Sequence, residues 1–232
     1  MTARTSAQAL ADVASALVGE HEITGLLAQL VRDCAELLPA DAAALLVRTG
    51  EGDFELLSAT SHRAAELEVY QAQQAAGPCV DTVRTGRAVN AVGAAEIAER
   101  WDEVGRRIVE VGFRSVHAFP MHWRNHVIGG LNVFSTAEEG LSEESRLLGQ
   151  NFADYATLAI VQPLGLDDDA LAQRVTDALE GRVVIEQAKG ALAYQLSLDM
   201  AEAYDELLRR SAVNGSHLLQ TAQEVLREAQ RR

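Results

Sequence analysis

The chain has 232 residues, nearly half of them apolar, enough for two domains with a buried core. It carries 34 acidic against 20 basic side chains, a formal net charge of −14, and so lacks the basic surface that general nucleic-acid binding requires. No stretch approaches the roughly 18–20 consecutive apolar residues of a membrane span. The first residues, MTARTSAQAL, lack the layout of a secretory signal, so a cytoplasmic location without membrane contact is expected. Cys34 and Cys79 are isolated from each other and from any C-x-x-C pair, which argues against a disulfide framework and a zinc ribbon.

In chain order, residues 6–19 predict an amphipathic helix. Residues 22–38 predict a second, with Ile23, Leu26, Leu27, Leu30, Val31, Cys34, Leu37 and Leu38 on one face and Pro39 ending it. Residues 41–48 and 54–60 read as strands joined by a Gly/Asp turn. A helix over 64–76 stops at Gly77-Pro78, and Pro78 suits the first turn of a short helix 79–85. A strand over 87–92 and a helical stretch to Gly112 follow. Residues 114–121 and 126–135 form a second hairpin around Trp123-Arg124-Asn125, and Ser142 caps a helix over 143–161. Hairpins at both ends with helices between them predict an α+β domain with an antiparallel sheet. No Gly-rich phosphate loop follows a strand.

Pro163, Gly165 and Asp167-Asp168-Asp169 mark a boundary, giving domains 1–165 and 166–232. The second domain reads as three helices: 168–195, 199–212 with Ser197 or Asp199 at its cap, and 216–229 after the Asn214-Gly215 turn. Ala201, Tyr204, Leu207 and Leu208 line the second of these. Leu218, Leu219, Ala222, Val225 and Leu226 line the third, as in a small bundle. Residues 181–232 hold seven basic and seven acidic side chains, so the rest of the chain carries the whole deficit. The basic residues of the chain are nineteen arginines and a single lysine, Lys189. Lysine and arginine differ in shape and hydration, so that lone lysine reads either as a site where arginine would not serve or as the chance survival of one codon.

The segment from Arg182 to Leu192, R-V-V-I-E-Q-A-K-G-A-L, precedes S-L-D-M-A-E-A-Y-D-E-L-L-R-R-S from Ser197 to Ser211. Ile185, Ala188, Lys189, Gly190, Leu192, Ala203, Tyr204, Leu207 and Ser211 fall on the pattern of the ANTAR family, which this segment resembles. Leu208 stands where many members have an arginine, Ala193 replaces a methionine, and Thr221-Ala222-Gln223 replaces a Val-Ala pair. The resemblance implies an RNA-binding module that acts in transcription antitermination on an RNA stem-loop. Its implied contacts are Arg182, Gln187, Lys189, Gly190, Tyr204, Arg209, Arg210 and Ser211. Lys189 and Arg182 are two turns apart and share a helix face. Gly190 inside a helix costs about 1 kcal/mol relative to alanine, which calls for close approach of another helix or of RNA. Tyr204 reads as a core residue or as a stacking platform, and Arg209-Arg210 as a solvated helix end or as RNA contacts.

The first 160 residues resemble a GAF domain more loosely, through Gly77–Asp81, Arg84–Val89, Gly112–Met121 and Val127–Phe134. That resemblance implies a sensory input domain, with a small-molecule ligand as one mode of signalling, and a homodimer. Leu171, Val175 and Leu179 form a stripe suited to a partner helix or to packing within the chain. Cys79 at a helix start invites a redox role, against burial as a small core residue. His117, His122 and His126 cluster near the second hairpin without a completing metal ligand, and read as exposed. Asp81, Arg84 and Asp102 form no catalytic constellation, so neither an enzyme nor a cofactor is expected. Two other readings stay open: a ligand-sensing scaffold whose C-terminal helices dock a protein, and a DNA-binding helical module, which the neutral C-terminal segment disfavours.

Overall fold

A computed structural model describes residues 4–18, 22–49, 53–161 and 168–230, with side chains of 168–175 outside the description. The elements run α1 (Ser6–Val18), α2 (Ile23–Leu37), β1 (Ala42–Arg48), β2 (Phe54–Ala59), α3 (His62–Gln74), α4 (Pro78–Thr85), β3 (Val89–Val92), α5 (Ala94–Glu110), β4 (Ser115–Trp123), β5 (His126–Ser135) and α6 (Glu143–Val161). Then come α7 (Asp168–Leu196), α8 (Met200–Asn214) and α9 (Leu218–Ala229). The predicted boundary residues Pro163, Gly165 and Asp167 lie outside the described residues, as do the side chains of Leu171 and Val175. Among the described residues, no helix is long and apolar enough to cross a membrane.

The sheet is antiparallel throughout, in the order β2-β1-β5-β4-β3. The two predicted hairpins meet through the β1–β5 pairing, and β3 adds to the outer edge of β4. Both faces of β1 are buried, because its apolar run alternates between two cores. Ala43, Leu45 and Val47 join α1, α2 and α6 through Val13, Leu27, Leu30, Phe152 and Ile160. Across the sheet, Ala42 packs with Leu67, Ile97, Trp101, Ile108, Val116 and Phe134, while Ala44 and Leu46 pack with Leu56 and Cys79. Phe113 and Phe134 stack with centroids 5.0 Å apart.

The helical stretch ending at Gly112 is broken at Trp101 and Asp102, where Asp102 has φ 46°. The break turns Trp101 inward, and its indole Nε1 donates to Asp81 Oδ2 at 2.8 Å.

The last three helices form a bundle around Ile185, Ala188, Leu192, Ala203, Leu207, Leu218, Ala222 and Val225. Asp199, the second of the two predicted candidates, caps α8. Its carboxylate accepts from the Ala201 and Glu202 amides, and Glu202 reaches back to the Asp199 amide. Gly215 closes α8 at φ 62°, the left-handed conformation that the Asn-Gly signal foretells. Ala201, expected on the apolar face, is exposed, because the inward register runs through Ala203 and Leu207. The bundle packs on the sheet domain. Ala28 of α2 belongs to its apolar core, and Leu179 reaches the core of the sheet domain.

Candidate functional site

The C-terminal motif folds into one corner of the bundle. Ile185, Ala188 and Leu192 recur at helical spacing and bury into the core, which fixes the face on which Lys189 emerges. That face points at the sheet domain. The Lys189 side chain is only 3 % exposed, and its Nζ pairs with Glu186 Oε2 at 2.6 Å. The same ammonium lies 5.8 Å from the centroid of the Tyr204 ring.

Tyr204 extends past the lysine, and its hydroxyl donates to the Ala59 carbonyl at the end of β2, at 3.0 Å. Burial pushes the Tyr204 phenol up to about 12, so it remains a donor at neutral pH. Arg182, Ile185, Glu186, Lys189 and Tyr204 face Thr24, Ala28, Leu56–Ala59, His62 and Ala65 across a seam with about 30 Å³ of free space. Gly181 makes this approach tight: a Cβ there would lie 2.2 Å from Thr24 Oγ1. Toward α3 the seam widens into a cleft of about 390 Å³ bordered by Arg182, Lys189, Tyr70 and Arg107.

The remaining predicted contacts lie elsewhere. Arg209 and Arg210 both bind Glu206, at 2.6 and 2.8 Å, and hold its carboxyl down at about 2. Arg209 and Ser211 border a cleft of about 660 Å³ between α1–α2 and α8–α9, together with Arg32 and His217. The Ser211 hydroxyl donates to the Ser216 carbonyl and so braces the α8–α9 turn.

Gln187 and Gly190 sit on the open side of α7, away from Lys189. No protein atom outside its own helix lies within 4 Å of a Cβ placed on Gly190, so the expected close approach of another helix is absent among the described residues. Tyr194, missed in the sequence, shares this side and is 90 % exposed. Val183, Gln187, Gly190 and Tyr194 follow at intervals of 4, 3 and 4, a helical stripe that reads like an ordinary polar face unless the aromatic residue is noticed. The predicted set is therefore split among a covered corner, an open stripe on α7 and the end of α8.

In the sheet domain, α3 and β5 bring together three fully buried polar side chains, Glu68, Gln71 and Asn132. Asn132 Nδ2 donates to Glu68 Oε1 at 2.5 Å, and Gln71 Oε1 accepts the Cys79 amide at 3.4 Å. Glu68 Oε2, Gln71 Nε2 and Asn132 Oδ1 make no hydrogen bond of good geometry, although Gln71 lies close enough to the Glu68 carboxyl to favour its charged form. Burial pushes Glu68 up to about 8.

Cys79 begins α4, but it is fully buried. Desolvation, with the charge of Glu68 beside it, raises the thiol, opposite to the lowering a helix N-terminus would give. Of the two readings of Cys79, the structure has the small buried core residue. His117 is buried rather than exposed, and desolvation lowers it to about 4. His122 contacts the Gly86 carbonyl through Nε2 at 3.2 Å. No cluster of metal-ligating side chains occurs among the described residues.

The GAF domain model matches residues 20–161, well over half of the chain. The chain belongs to the GAF domain family. Residues 173–226 match the ANTAR domain, so a GAF sensory domain and an ANTAR domain, both regulatory, share one chain. No curated protein matches it in sequence. Among solved structures, it resembles the GAF domain of a phosphoenolpyruvate-protein phosphotransferase from Acinetobacter. That match has 13 % identity and a TM-score of 0.53, over 72 % of this chain and 100 % of the other. The phycocyanobilin-bound GAF domain from a cyanobacterial phytochrome matches with 13 % identity and TM-score 0.53, over 69 % and 96 %. A phosphotransferase GAF domain from Coxiella burnetii matches with 18 % identity and TM-score 0.50, over 77 % and 97 %. At these identities the likeness establishes the GAF fold and nothing further.

Proposed function

We propose that this GAF–ANTAR chain is a cytoplasmic RNA-binding regulator of transcription antitermination, with the GAF domain supplying the sensory input. The ANTAR match over 173–226, on a folded three-helix bundle, carries this reading. The division 1–165 and 166–232 accommodates both matched segments. The RNA partner is a stem-loop, read through its unpaired loop by Arg182, Gln187, Lys189, Gly190, Tyr204, Arg209, Arg210 and Ser211. A small polar molecule at Glu68, Gln71 and Asn132 is the proposed sensory ligand, and their buried polar atoms without a hydrogen bond of good geometry support it. The homodimer implied by family resemblance would use α7.

The test is retention of total cellular RNA by the purified protein, followed by sequencing of what is retained. Stem-loop RNA should be enriched, and Lys189→Ala should reduce retention. Retention of none at low salt would favour the protein-docking scaffold instead. Unchanged affinity in Lys189→Ala would remove that residue from the site.

A further inference from the structure

We propose that the GAF domain is a lid on its own ANTAR domain, holding the Lys189–Tyr204 corner closed through α2 and the edge strand β2. This rests on the RNA reading for its consequence, but not for its geometry. Strand β2 ends the sheet, and an open sheet edge invites covering by another element. Here α7 and α8 supply that cover. Tyr204 binds the Ala59 carbonyl, Ala28 enters the bundle core, and Gly181 admits Thr24 at a distance no side chain on α7 would allow. The lone lysine of the chain is thereby held between Glu186 and Tyr204 with its side chain only 3 % exposed, where the narrow seam meets the cleft toward α3.

The lid covers part of the candidate surface. Gln187, Gly190 and Tyr194 stay open, as does Arg209. The closed state thus leaves one side of α7 available while withholding the cation between Glu186 and Tyr204. Binding that requires Lys189 is weakened by the fraction of molecules that are open.

Lys189 also supplies the assay. An amine-acetylating N-hydroxysuccinimide ester, read by peptide mass spectrometry, reports its accessibility without any RNA. In the intact chain Lys189 should acetylate at least about tenfold slower than in the urea-unfolded protein, as expected of a minor open state. Ala28→Arg places a charge on the lid side of the seam. Gly181→Ala pushes against Thr24 while favouring the helix it sits in. Each should accelerate acetylation by about tenfold in protein whose circular dichroism remains native. Glu186→Gln removes the local ion pair and should change the rate far less.

Three results overturn the lid: wild-type labelling at the unfolded rate, no acceleration in either folded variant, or equal acceleration in Glu186→Gln. Retention of total cellular RNA by the same variants is a separate readout. Acceleration with increased RNA retention supports both readings. Acceleration without RNA retention keeps the lid and removes the RNA function.

Discussion

In the seam, Lys189 Nζ meets Glu186 Oε2 at 2.6 Å and faces the Tyr204 ring. A guanidinium there would need a broader, forked set of acceptors. Lys189→Arg is therefore expected to loosen the seam, seen as faster hydrogen exchange in 56–59 and 182–189, whereas a purely charge-based role would leave exchange unchanged. Glu68 is the opposite case, a carboxyl buried without a cation. Its folded-state value of about 8 lies above the ordinary 4.5, so the folded state holds the proton more tightly. Its contribution to stability is full below pH 4.5, falls as pH rises and is lost by about 8. Glu68→Gln keeps an acceptor for Asn132 and should stabilise the protein at pH 9 by a few kcal/mol. His117, lowered to about 4, acts with the opposite sign, losing stability as pH falls from 6.5 to 4. Urea melts from pH 5 to 9 would test the Glu68 assignment, and equal wild-type and variant slopes between pH 5 and 8 would refute it.

At the scale of elements, the sequence located nearly every helix and strand because their signals are local. Turn residues between short apolar runs marked the hairpins, Pro78 started α4, and Asp199 with Asn214-Gly215 bounded α8. What it could not show depended on contacts between distant elements. The break at Trp101–Asp102 follows from the hydrogen bond to Asp81, twenty residues away. His117 was read as exposed beside the hairpin turn, and packing of β4 within the sheet buries it. The candidate RNA residues were legible as a motif, but their division between two sides of the bundle was not. Helical phase alone cannot say which side a second domain will cover. Gly190 gives the cleanest element-level test, since open space surrounds it and alanine is the better helix former. Gly190→Ala should stabilise α7 by about 1 kcal/mol, observed as a higher melting temperature. Loss of RNA retention in that stabilised variant would assign the glycine to close RNA approach. Destabilisation would instead mean a hidden packing role. Asp199→Ala removes one side of the capping box and should cost about 1 kcal/mol, with α8 amides exchanging first.

The whole molecule sets the electrostatic terms on which RNA meets the ANTAR domain. The net charge of −14 resides outside 181–232, where seven basic and seven acidic groups cancel. Of the candidate cations, Lys189 is bound to Glu186, and Arg209 and Arg210 to Glu206, so RNA phosphate must displace carboxylates to reach them. At most four cations, counting Arg182, take part. Counterion release from a single-stranded loop then gives a plot of log affinity against log salt a slope no steeper than about −3. Repulsion from the acidic GAF domain flattens it further at low salt, where screening is weakest. Fluorescence anisotropy of a labelled stem-loop selected from the retained RNA, from 50 to 300 mM salt, would measure the slope. Ala28→Arg should raise affinity at every salt concentration while steepening the slope by about one contact, because opening the seam returns Lys189 to the set. A parallel upward shift with no change in slope would mean that Lys189 does not meet phosphate. A slope much steeper than four contacts allow would place the RNA on arginines beyond these four candidates.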